Sequence, residues 1–318
     1  MKNRQNFSIA DWMPIIIFAV IAAIFGIATG GAIFTPTNLT NIFNQSLAMI
    51  IAALGMVFVA SMGGTDITHG SLVALATAIG SMAAAKGGVT LLVPVIILVG
   101  AVSGLLLGTI NAKFKVPSFM TSLALLIAYR ALVNLLLSST VYKFPQELSF
   151  FGELWFEVLA VIILIIIIAY VFHYTPFGTY IRAIGENENS VRFSGVNVEK
   201  IKIIAFVISG VMAAIAGIFM IARVGGTNNT LGSGFEMKVM MAMFIGGIPV
   251  QGGMGSKLYK LVIGAPTIIL LENGLVLCGA DGALTQLIRG IILLLVIYIT
   301  MQVNERFRYG RGKEVTKS

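Results

Sequence analysis

The chain reads as an all-α polytopic membrane protein of about ten transmembrane helices. Three observations predict this. Its 318 residues are 58% hydrophobic and 11% charged, with a mean hydropathy of +0.97, whereas soluble domains carry about 25% charged residues. Asp, Glu, Lys and Arg are absent from 12–65, 87–112, 158–181, 203–222 and 290–304, and a hydrocarbon core of about 30 Å takes roughly 20 helical residues to cross. Runs such as VLAVIILIIIIAYVF (158–172) are continuously apolar rather than alternating, which argues against a barrel, and in lipid only helices or closed barrels satisfy their own backbone.

Polar residues and Gly/Pro punctuation place the spans near 13–33, 44–62, 68–85, 90–112, 117–138, 156–173, 201–222, 238–254, 258–276 and 283–302. The first apolar run, from Met13 to Phe34, exceeds a signal-peptide core and has no A-x-A site before its end, so a retained first helix is expected. With ten spans and a cytoplasmic N-terminus, fifteen Lys and Arg fall on the cytoplasmic face and four on the other. That bias follows the positive-inside rule and puts both termini in the cytoplasm. The whole chain, 1–318, is then one transmembrane domain. The formal charge of +8 belongs to loops, with no basic stripe interleaved with aromatics, so nucleic acid is not an expected partner. A lone Cys278 rules out an internal disulfide and a multi-Cys metal site, and reads as a small packing residue.

The longest cytoplasmic connection, 174–200, largely coincides with TPFGTYIRAIGENENSVRFSGVNVEKIK (175–202). Asn187 fits an N-cap, Glu188 a first helical turn and Gly195 a left-handed helix stop, so a short surface helix is expected. From composition alone a solvated, topology-setting loop reads equally well.

A repeat signal relates MVFVASMGGTDITHGS (56–71) to VMMAMFIGGIPVQGG (239–253), with Gly63 and Gly64 over Gly246 and Gly247. A looser echo relates 108–119, leading to Tyr129-Arg130, to 271–282, leading to Ile288-Arg289. The repeat halves are roughly 44–138 and 201–302, and an odd number of intervening spans makes them an inverted pair, a pattern met in transporters. Tight helix packing explains the same glycines without any substrate.

Four stretches resemble the permease subunits of bacterial ABC importers for simple sugars, which share a superfamily with branched-chain amino acid permeases. They are GGTDITHGS (63–71), where that family reads GGIDLSVGS; 175–203; GGIPVQGGMGS (246–256); and ENGLVLCGADGALTQLIRG (272–290). The resemblance covers about 40–302. It implies a fold of the vitamin B12 importer type in the bacterial cytoplasmic membrane and three partners: a cytoplasmic ABC ATPase, an extracytoplasmic solute-binding protein, and a second permease, identical or paralogous. It implies no cofactor on this chain, ATP and Mg being held by the ATPase, and no catalytic residue. The loop between the sixth and seventh helices becomes a coupling helix, with Glu186, Asn187, Arg192, Ser194 and Gly195 as coupling residues. In line with this the chain has no G-x-x-x-x-G-K-[ST]; its nearest lookalike is GGMGSK (252–257).

Ionisable groups in or beside spans cost about 2.5–3.5 kcal/mol on insertion scales unless paired or wet, so they are candidates for function. Arg130 and Arg289 are the intramembrane bases; Asp66, His69, Glu236, Glu272 and Asn273, with the two Gly pairs, are path or gating candidates. Pairing with each other or with backbone carbonyls, merely to hold helices together, is the competing reading, and His69 reads as a satisfied histidine rather than a proton shuttle. Two departures from the family pattern stand out. Lys238 replaces the acid of a Tyr-Glu-Leu-Asp run, with bulky Val239-Met240-Met241 after it, and Glu272 replaces the first Asn of Asn-Asn-Gly. They leave room for a different solute or a non-identical sister subunit. The second functional reading is an ion-coupled secondary transporter titrating Asp66 and Glu272. An intramembrane enzyme lacks H-E-x-x-H and G-x-S-x-G.

Overall fold

A computed structural model describes residues 9–138, 140–248, 252–253, 255, 258–295 and 298. The described residues form α1 (Ile9–Ala28), α2 (Pro36–Ser61), α3 (His69–Gly87), α4 (Leu92–Lys113), α5 (Ser118–Leu136), α6 (Leu154–Tyr174), α7 (Pro176–Phe193), α8 (Val198–Val224), α9 (Phe235–Ile245) and α10 (Tyr259–Leu277), followed by α11 (Gly282–Leu295). Seven of these, α2 to α6, α8 and α10, are long and apolar enough to cross a membrane. The chain is a multi-pass membrane protein.

Which helices are central follows from burial. The apolar window of α2 is 83% buried, that of α6 only 17%, so α2 is a core rod and α6 turns Ile162, Ile163, Ile166 and Ile167 outward, as a lipid-facing helix does. Helices α4 and α8 lie antiparallel and close. Gly100, Gly104 and Gly108 of α4 rest on the backbone at Gly210, Phe206–Val207 and Ile203 of α8. Glycine every fourth residue makes one smooth stripe, and close backbone approach is what drives helix pairing where lipid removes the hydrophobic force.

One expected span is cut short and another is preceded by a break. The third, expected over 68–85, is the continuous α3, with non-helical chain over 62–68 leading into it at His69. The eighth, expected over 238–254, is the 11-residue α9 stopping at Ile245, roughly 16 Å at 1.5 Å per residue and about half a membrane. The cause is local. Gly63 and Gly247 take left-handed φ of 77° and 76°, and each helix closes on a backbone bond from the next residue, Gly64 N to Val59 O at 2.9 Å and Ile248 N to Met243 O at 3.0 Å, the Schellman stop.

These stops correct the expected repeat. Gly63-Gly64 and Gly246-Gly247 close helices that lead to the same end of the bundle, the end where α7 lies: Gly252, five residues past Gly247, packs on Ser61 and Gly63. They are not an inverted pair. The segment that mirrors GGTDITHGS (63–71) is GGTNNTLGS (225–233). Each follows a long helix, α2 of 26 residues and α8 of 27, and each opens on a left-handed glycine, Gly63 at 77° and Gly225 at 83°. Asp66 Oδ1 accepts from Thr68 N at 3.0 Å and Thr68 Oγ1 at 2.6 Å; Asn228 Oδ1 accepts from Thr230 N at 3.0 Å and Thr230 Oγ1 at 2.9 Å. The copies meet at Gly70 and Gly232, where a Cβ on either would strike the other's carbonyl oxygen. From that meeting point α3 and α9 lead away along the bundle. In the looser echo, both segments cross the short turn between two helices, α4 to α5 and α10 to α11.

Two smaller differences complete the comparison. Cys278 is exposed beyond the end of α10 rather than packed. The expected end of the last span at 302, and the termini whose side was assigned by charge, lie outside the described residues.

Candidate functional site

Three polar groupings interrupt the apolar bundle. The first fills the α2–α3 break. Asp66, Thr68, His69 and Ser209 are 2%, 1%, 0% and 0% exposed. Ser209 Oγ donates to Asp66 Oδ2 at 2.9 Å and lies 3.3 Å from His69 Nε2, while His69 Nδ1 lies 3.2 Å from Asp66 O. Ser209 is near the middle of α8, so the knot holds non-helical chain at mid-bundle. Exposed backbone at that depth is tolerated only when protein or water satisfies it, and here side chains supply part of that satisfaction. His69 is a satisfied, buried histidine. Ser209 was not singled out from sequence; a lone serine in an apolar helix carries no local signal.

The second grouping surrounds the start of α9. Arg130 on α5 donates to Leu231 O at 2.8 Å, and Glu236, in the first turn of α9, lies against Gly70. Lys238 Nζ sits 2.6 Å from Glu272 Oε2 and Arg289 Nη2 sits 2.8 Å from Glu272 Oε1. The two departures from the family pattern, Lys238 and Glu272, are therefore partners: one substitution removes an acid from α9, the other supplies one on α10. Glu272 clamps α9, α10 and α11 together, and Asn273 follows it, half-buried. The expected pairing takes both of its forms, Glu272 with Arg289 and Arg130 with a backbone carbonyl, whereas Asp66 takes hydroxyls and an amide. Gly246 and Gly247 lie beside Lys260 of α10.

The third grouping is α7. It is two helices, broken at Asn187, whose φ of −160° and ψ of 102° are extended. Asn187 Oδ1 accepts from Ser190 N at 3.1 Å, capping the second piece, and that piece ends through Ser194 at Gly195, φ 84°. Glu188 binds Arg192 at 3.1 Å and Lys202 at 2.6 Å, and Arg192 also reaches Glu199 at 2.8 Å. Burial works to raise the Glu188 pKa, but hydrogen bonds and charge from Lys202 and Arg192 outweigh it, and the group ends below its ordinary value. Glu199 is lowered by a hydrogen bond from its own backbone N–H and by Arg192, against a smaller effect of burial. Phe193 is 90% exposed, an aromatic at the tip of this short helix that sequence reasoning passed over. Glu186 lies against Gly253.

At the opposite end, exposed Arg223 binds buried Glu157 at 2.6 Å and Asn44 O at 2.5 Å, a pair also not anticipated. Arg223 and Glu157 stand 66 residues apart, which hides the pairing from local reading.

A multi-pass bundle with two chain breaks meeting inside it, and a separate capped helix at one end, fits a membrane transport subunit. Residues 38–297 match the family described as branched-chain amino acid transport system / permease component, and the chain belongs to that family. It is 33% identical over 279 residues to the ribose import permease protein RbsC of Escherichia coli (strain K12), covering 84% of this chain and 86% of that protein. It is 29% identical to the xylose transport system permease protein XylH of Haemophilus influenzae, covering 94% and 98%. It is 32% identical to the autoinducer 2 import system permease protein LsrC of Photorhabdus laumondii, covering 83% and 81%. No solved structure matches.

Proposed function

We propose that this chain is the translocation subunit of an ATP-driven importer for a simple sugar of the ribose, xylose or fructose class. The solute class comes from the relatives named for ribose and xylose import and transport. The observation that carries the mechanism is the capped helix after Asn187. It is short, stapled by ion pairs, and ends in an exposed aromatic, which suits it to transmit force from a separate chain.

In this reading the chain crosses the membrane ten times. The non-helical 62–68 plus α3 make one crossing, and 225–234 plus α9 make another; α1, α2, α4, α5, α6, α8, α10 and α11 make the rest. The α7 end is cytoplasmic, as are both termini, in the bacterial inner membrane, and the fold is of the vitamin B12 importer type with α2–α5 and α8–α11 as its halves. A cytoplasmic ABC ATPase binds ATP and Mg and docks on 186–195. An extracytoplasmic binding protein delivers solute at the other end, and a second permease copy, identical or paralogous, completes the path. Gly63, Gly64, Asp66, His69, Glu236 and the Lys238–Glu272–Arg289 clamp lie at the two half-spans, where rocking of one half on the other changes access.

The test is Gly195→Arg in the assembled transporter. A side chain in the left-handed region costs roughly 1–2 kcal/mol, and its bulk falls on the docking face. Membrane insertion should persist while ATPase co-purification and ATP-dependent uptake fall together. Undiminished uptake would remove the coupling role of this helix.

A further inference from the structure

Three stretches of backbone meet at the end of the first half of α7, packed directly on one another. A Cβ on Gly185 would strike Ser61 O, the last carbonyl of α2, and Gly253 N. Gly253 N itself donates to Ser61 O at 2.7 Å. A Cβ on Gly252 would meet Gly63 N at 2.5 Å and Ser61 O at 2.6 Å, and one on Gly253 would strike Glu186 Oε1. One node thus joins the first half of α7, the end of α2 where the chain turns into the 62–68 break, and the link from α9 to α10. Those last two segments lead directly to the half-spans that meet at Gly70 and Gly232.

We infer that the Gly185–Ser61–Gly253 node is where displacement of the coupling helix passes to both discontinuous spans, with Gly185 as its positioning residue. The physical reason is stiffness. A contact made through long side chains can be taken up by rotamer changes, whereas here the Gly185 backbone packs directly on a Ser61–Gly253 pair that is itself tied by a 2.7 Å hydrogen bond, so displacement of α7 bears on both at once. One node serving both half-spans would also move them together, which a rocking mechanism needs. The inference rests on the reading of α7 as the ATPase-docking helix and adds the route inward from it.

Two measurements on the complete transporter, with its ATPase and binding protein in proteoliposomes, test the node. In the first, Gly185→Ala is compared with Gly290→Ala, which adds a Cβ in open space. Gly185→Ala should still co-purify with the ATPase and hydrolyse ATP, but sugar taken up per ATP should drop at least tenfold, with Gly290→Ala unchanged. Uptake per ATP within twofold of the parent would overturn the inference. Loss of ATPase co-purification from the unmodified chain would instead sink the docking reading beneath it.

The second measurement covers the case where Gly185→Ala does not fold. Ser61→Cys, near-isosteric at a fully buried site, is placed in a Cys278→Ser background, which removes the sole native cysteine. Its maleimide labelling rate should differ severalfold between nucleotide-free and vanadate-trapped complex. Equal rates in the two states would contradict movement of the node.

Discussion

Asp66 shows at a single residue how a break in a membrane helix is held. One carboxylate oxygen closes a turn onto Thr68 and the other takes the Ser209 hydroxyl. The mirrored turn uses Asn228 for the first task alone. Asp66→Asn should therefore keep the turn and lose little, under about 1 kcal/mol, while Asp66→Ala strands a buried amide and two hydroxyls and should cost about 2 kcal/mol; thermal unfolding in detergent reads the difference. Phe193 is the other residue whose meaning is positional. It is 90% exposed on a helix that the proposed function docks to an ATPase, and interface aromatics often carry about 2 kcal/mol each. Phe193→Ala should weaken ATPase binding about thirtyfold with the fold unchanged, as measured by titrating ATPase onto permease in nanodiscs.

Among elements, the clamp at Glu272 ties three helices through two cations. Glu272→Gln leaves Lys238 and Arg289 facing each other in a largely buried seam, a loss of about 3 kcal/mol. Lys238→Asp alone sets an acid against Glu272. Made together, Lys238→Asp and Glu272→Asn return the seam to the pattern of the resembled family and should recover most of the stability either change loses, a coupling that a double-mutant cycle measures directly.

The short helix of α7 makes a pH prediction. Because Glu188 and Glu199 have folded pKa values below their ordinary ones, their ion pairs add stability that is full above the unfolded carboxylate pKa of about 4.3. That stability is lost as pH falls through the lowered values. Hydrogen exchange across 188–199 should be unchanged from pH 8 to about 5.5 after correction for intrinsic rates, and faster below about 4. The Arg192 pairs are exposed to solvent, so the change is small.

At the scale of the whole molecule, the membrane class and most helices were legible because hydrophobic runs and loop charges act locally along the chain. The cap at Asn187 and stop at Gly195 were legible for the same reason. The register of the repeat was misread: Gly-Gly at 63–64 and 246–247 is a common helix stop, and it masked the closer match of 63–71 to 225–233. Pairings such as Ser209 with Asp66, 143 residues apart, and the packing of Gly185 on Ser61 and Gly253 depend on how helices stack, which no local pattern encodes.

The account stands or falls on this chain moving solute only when driven from outside itself. Uptake of labelled ribose and xylose into proteoliposomes should be absent with the purified chain alone, under any imposed ion gradient, and should appear when the partner ATPase, the binding protein and ATP are added. Gradient-driven uptake by the chain alone would contradict it.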